Sequence, residues 1–85
     1  MIELQEFAHI VEFSYQSKTE QFVVRFLNNN SYTLKTSDLP KKLQTRKPKW
    51  EEAIKSPDGS SILVQAGEDW RQIPFHIIHS RGKQI

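Results

Sequence analysis

The chain has 85 residues, a formal net charge of +2 at pH 7, 36% hydrophobic residues and no cysteine. That length suits one small domain, residues 1–85, and the missing cysteines exclude disulfide staples and thiolate metal ligands. The charge is too slight for a histone-like scaffold, and no apolar run approaches the roughly 18 residues that span a bilayer. The acidic start, Met1-Ile2-Glu3-Leu4, does not resemble a signal or transit peptide. A cysteine-free chain is compatible with a reducing compartment, so the expected location is cytoplasmic.

Residues 1–7 fit either a short helical turn or a lead into a strand, with Ile2, Leu4 and Phe7 as the apolar positions. Over residues 8–15, His9, Val11, Phe13 and Tyr15 alternate with Ile10, Glu12 and Ser14. A period of two predicts a strand. Residues 16–19 are polar and short enough for a hairpin loop. Residues 21–27 then organise the rest. Phe22, Val24 and Phe26 fall on one face, with Val23 and Leu27 on the other around Arg25. A strand apolar on both sides is expected in the middle of a sheet, covered on each face. Asn28-Asn29-Asn30 follows; asparagine tolerates positive φ and bonds its own backbone, so the triplet predicts a tight reversal. Residues 31–36 return as a third strand with Tyr32 and Leu34 inward, completing an antiparallel meander.

The character changes at Thr36. Ser37-Asp38 before Leu39-Pro40 turns the chain, and Leu39 and Leu43 are expected to anchor it to the core. Residues 41–49 form the chain's one charge run: Lys41, Lys42, Arg46, Lys47 and Lys49, with no acid among them. Pro48 suits a first helical turn. Trp50, Ala53 and Ile54 recur at i, i+3, i+4, predicting a short helix docked through Trp50. Pro57-Asp58-Gly59 ends it. Residues 61–66 are a strand around Ile62-Leu63-Val64, Gly67-Glu68-Asp69 is a turn, and residues 70–73 pair back. Pro74 opens a last short helix over residues 75–80, with Phe75 and Ile78 inward, Ile77 a third candidate, and Gly82 at its C-cap. The expected fold is α+β: an antiparallel sheet of about five strands, a three-stranded meander plus a C-terminal hairpin, with one or two short helices.

Three groups of side chains could carry a function. Lys41, Lys42, Arg46, Lys47 and Lys49 could neutralise nucleic-acid phosphates; Trp50 could stack on a base, but its helical face with Ala53 and Ile54 assigns it to the core. His76 and His79 are spaced i, i+3, yet a metal site needs a third ligand, and nothing fixes Glu68, Asp69 or His9 in that role. No metal or other cofactor is therefore assigned. Trp70 sits beside Arg71 at a hairpin tip, with Phe75 just beyond. An exposed tryptophan beside charges is a common interface anchor, so Trp70, Arg71 and Phe75 are the candidates for engaging a protein partner; a Trp70 that caps the bottom of the core is the equal alternative. The chain has no nucleophile elbow and no glycine-rich phosphate loop, so no enzyme is expected.

The order strand, strand, polar turn, strand, Leu-Pro, helix and closing hairpin resembles small bacterial stand-alone domains of unknown function, some encoded beside toxin–antitoxin genes. Residues 22–27, 28–30 and 32–34, Leu39-Pro40, and Val64 with Ile73-Pro74 carry the resemblance. The chain departs from it at the asparagine triplet, where such chains often show Asp-Gly. The resemblance implies no enzyme and no assigned site residue. The first expectation is a non-catalytic binding or adaptor module for a protein partner, a second copy of the chain (a homodimer) included. An apolar central strand that short helices cannot cover on both faces motivates it. The alternative is weak, sequence-nonspecific nucleic-acid binding through residues 41–49.

Overall fold

A computed structural model describes residues 5–85, and among these seven strands form two antiparallel sheets. The first sheet has the order β1-β2-β3-β7, with β1 Ile10–Gln16, β2 Gln21–Phe26, β3 Ser31–Lys35 and β7 Lys83–Gln84. The second has the order β4-β5-β6, with β4 Ile54–Lys55, β5 Ser61–Ala66 and β6 Asp69–Pro74. Two short helices complete the fold, α1 Lys41–Gln44 and α2 Phe75–Arg81. The α+β class, the meander and the closing hairpin are as the sequence predicts. The structure adds two-residue strands at β4 and β7 and divides the strands between two sheets. With β7 on the free edge of β3, the hairpin does not extend the meander but packs across it.

The core lies between the two sheets. Phe22 pairs with Tyr15 on one side and Leu34 on the other, and Val24 with Phe13 and Tyr32, so one face of the meander is apolar throughout. Ile10, Phe22, Val24, Phe26 and Leu34 there are fully buried, as are Ile62, Val64, Ala66 and Ile73 facing them and Ile78 of α2. Trp50, half-buried, packs edge-on against Phe22 at 6.0 Å and so lies against the core. Phe26 is stacked on His79 at 4.6 Å.

Three expectations are corrected. First, β2 is flanked by β1 and β3 but covered on one face only. Val23 has Ser14 and Thr33 beside it, and Arg25 faces Glu12 and Ser31. Arg25 Nε donates to Glu12 Oε1 at 2.9 Å, and Leu27 lies past the strand end, 47% exposed. One valine does not make an apolar face when its cross-strand neighbours are polar. Second, a bulge at Val11 resets the alternation in β1, so that Ile10 points into the core. Third, the helix expected after Pro48 is a single 3₁₀ turn, Trp50–Glu52, after which Ile54 and Lys55 pair with Leu63 and Ile62. The ladder to β5 outcompetes the helical period, and it turns Ile54 away from the core.

The turn signals are local and hold. Asn29 has φ +69°, and Asn28 Oδ1 accepts from the Asn30 N–H at 3.0 Å. Asp58 Oδ1 accepts from Ser56 Oγ, Ser60 N and Ser60 Oγ. The Ser60 N–H first, then the two hydroxyls, hold the Asp58 carboxyl down at about 2, below its ordinary value. Phe7 sits in a 3₁₀ turn, Glu6–Ala8; Ile2 and Leu4 lie outside the described residues.

Candidate interaction surface

The β5–β6 hairpin positions the surface. Gly67 at φ +64° is followed by Glu68 at negative φ, the pattern of a type II′ turn, which matches the twist of the strands it joins. The side chains then alternate. Ile62, Val64 and Ala66 enter the core, so Leu63 and Gln65 face outward. Leu63 is paired with Ile54 on one side and Gln72 on the other, and Gln65 with Trp70. Paired residues share a face, so Ile54, Leu63 and Trp70 form an apolar diagonal on the outside of this sheet. Trp70 is 55% exposed and Ile54 50%.

The basic run wraps the same hairpin. Arg71 Nη1 donates to the carbonyls of Lys42 and Thr45, the latter at 3.0 Å, and so ties the end of α1 to β6. Arg46 and Lys47 both adopt positive φ, +63° and +50°, which reverses the chain below the turn. Arg46 Nη1 there meets Asp69 Oδ2 at 2.8 Å, and the Lys49 N–H donates to Gln65 O at 2.8 Å. Lys49 Nζ also lies 3.9 Å from Glu52. Lys41, Lys42 and Lys47 are exposed with no carboxylate partner among the described residues. Trp70, Arg71 and residues 42–49 therefore meet at one end of the molecule. Phe75 sits apart: it is half-buried at the start of α2, 5.9 Å from Phe7 and packed on the core.

Two depressions flank α1. One, of about 840 Å³, is bordered by Ser37, Asp38, Lys41, Gln44, Ser80 and Arg81. Gln44 is occupied there, donating to Leu39 O at 2.6 Å and to Ser37 O at 3.3 Å. The other, of about 340 Å³, runs against Gln72 and Pro74 of β6, with Leu43 and Lys42 on one side and His76 and Ile77 on the other. His76 and His79 do not converge: His76 borders this groove, whereas the His79 ring lies among Phe7, Phe26 and Tyr32 with Nε2 2.6 Å from Phe7 O. Among the described residues no three His, Cys, Asp or Glu cluster as metal ligands would. No helix among them is long and apolar enough to cross a membrane.

Sequence reasoning found Trp70 but missed Ile54, Leu63 and Gln72. The signal for Leu63 was present. In three successive apolar residues of a strand, the middle one must point away from its neighbours. Ile54 carried no such signal, because its outward position depends on pairing with β5. No protein-family model, curated protein or solved structure matches the chain, so what it does has to be read from its own residues.

Proposed function

We propose that the chain is a non-catalytic, cytoplasmic binding module that docks a protein partner on the outer face of the hairpin sheet. One observation carries this reading: Ile54, Leu63 and Trp70 align on an exposed sheet face whose inner side is already buried in the core. Such a row contributes little to folding, and tryptophan at its end is the residue type most enriched at the centres of interfaces. The larger depression supports no competing catalytic reading. Its hydroxyls, Ser37 and Ser80, have no imidazole among the residues around them to act as a base. The resemblance to small bacterial stand-alone domains is compatible with this role.

Weak nucleic-acid binding is the second reading, and the exposed Lys41, Lys42 and Lys47 favour it. Arg46 and Lys49 count against it, since both already face carboxylates. The two readings separate in one experiment. The tagged chain and its Trp70→Ala variant are used to capture partners from the native source. In parallel, the chain is titrated with a mixed-sequence single-stranded oligonucleotide on filters at about 50 and 200 mM salt. The proposal expects a protein retained by the parent and lost by the variant, with no oligonucleotide retention. Oligonucleotide retention at low salt that disappears at high salt, with capture unaffected by Trp70→Ala, would overturn it.

A further inference from the structure

The backbone of β6 offers more than the side-chain row. Gly67 and Glu68 form a two-residue turn, so Ala66 and Asp69 close the ladder with hydrogen bonds, and Val64–Arg71 and Ile62–Ile73 repeat them. Trp70 and Gln72 alternate with these pairs, so their N–H and C=O groups point away from β5. Pro74 takes the next such position, where its missing N–H removes nothing from the hairpin. β6 is the last strand of its sheet, and among the described residues nothing bonds the outward groups of Trp70 or Gln72. The 340 Å³ groove lies against this edge. Its walls are apolar at Leu43 and Ile77 and basic at Lys42, and no carboxylate among the described residues borders it.

We infer that β6 is a strand-addition edge that takes an extended segment of the partner in which apolar residues alternate with carboxylates. Main-chain hydrogen bonds to Trp70 and Gln72 would hold the segment, and alternate side chains would select it. Those on the outer face meet Trp70 as a cross-strand neighbour. Those entering the groove are the carboxylate residues, whose methylene stems pass Leu43 and Ile77 and whose charge meets Lys42. The sign of the charge makes the commitment: a basic segment would face Lys42 with no acid among the described residues that line the groove to compensate. This inference rests on the protein-partner reading and adds the chemistry of the bound segment.

The test uses the ¹⁵N-labelled full chain and a short capped peptide alternating isoleucine with glutamate. Two control peptides replace glutamate by lysine or carry N-methyl groups on alternate residues. The expected result is saturable amide shifts at Trp70 and Gln72, weakened about tenfold or more with the lysine peptide and lost with the N-methylated one. Gln72→Pro should abolish the response, because it removes an outward N–H that the hairpin does not use. Lys42→Glu, which leaves the backbone alone, should reverse the preference between the two charged peptides even if Gln72→Pro disturbs the fold. No shift at Trp70 and Gln72 up to about millimolar peptide, or equal responses to all three peptides, would overturn the inference. So would self-association of the peptide-free chain that Gln72→Pro abolishes, since the edge would then take a second copy. If Trp70→Ala loses the captured protein while Gln72→Pro keeps it, strand addition fails and docking on the face stands. If Trp70→Ala keeps it, docking on the face is the part that fails.

Discussion

The two sheets have similar inner faces and opposite outer ones. Inward, both are closely packed apolar surfaces, Phe22, Val24 and Phe26 against Ile62, Val64 and Ile73. Outward, the meander shows Glu12 paired with Arg25, Ser14 and Thr33 around Val23, and Gln16 bonded to Gln21. The hairpin sheet shows Ile54, Leu63 and Trp70 in a row, with Gln65 and Gln72 beside them. A polar outer face is what an antiparallel sheet needs when one side meets water. An apolar row across it is unnecessary for the fold, and this difference is why the proposed interaction surface lies on the second sheet and not on the strand that organises the first.

Substitutions can break or sharpen this contrast. The largest effect belongs to the shared inner layer. Phe26→Ala should cost about 3–5 kcal/mol by urea unfolding, because Phe26 is fully buried and its truncation removes a ring from the packed core. A cost near zero would mean that the core does not lie between the sheets. Next comes Gly59, which links them: its carbonyl accepts from the Ile10 N–H at 2.8 Å. Gly59 has φ +75°, and a Cβ there would stand 2.8 Å from His9 Cε1. Gly59→Ala should therefore cost about 1–3 kcal/mol.

A smaller effect is a pH dependence at the same turn. The Asp58 carboxyl titrates at about 2 when folded against an ordinary 3.8, so the unfolded chain takes up the proton first as the solution is acidified. Its contribution is complete above 3.8 and is lost as pH falls from there toward 2. Urea midpoints across this window should fall less steeply for Asp58→Asn than for the parent; parallel slopes would contradict the assignment. The outer faces come last. Val23→Ala and Trp70→Ala should each change stability by less than about 1 kcal/mol, although only the second should impair partner capture. Lys47→Ala, at an exposed position, should stay within about 0.5 kcal/mol.

What the sequence revealed follows the range of the forces involved. Asn28-Asn29-Asn30 and Pro57-Asp58-Gly59 are set by short-range bonds to their own backbone, so they are legible as turns. Phe22, Val24 and Phe26 are legible as an inner face because alternation needs no partner to interpret. The opposite face of β2 misled because Val23 and Leu27 were counted without the Ser14 and Thr33 that flank Val23 in the folded sheet. The stretch from Trp50 to Ile54 has a helical period, but the backbone of Ile54 is claimed by β5, a choice settled by its partner Leu63 nine residues away. β7 depends likewise on where α2 ends beside β3. The interaction surface was half legible. Trp70 stands out by residue type, whereas Ile54 and the groove beside β6 exist only after the hairpin has folded against α1 and α2.

The most direct test maps the captured partner onto the ¹⁵N-labelled chain by amide chemical shift. The account predicts perturbations concentrated at Ile54, Leu63, Trp70 and Gln72, with the amides of Ser14, Val23 and Thr33 unmoved. Perturbations centred on Ser14, Val23 and Thr33 would contradict it.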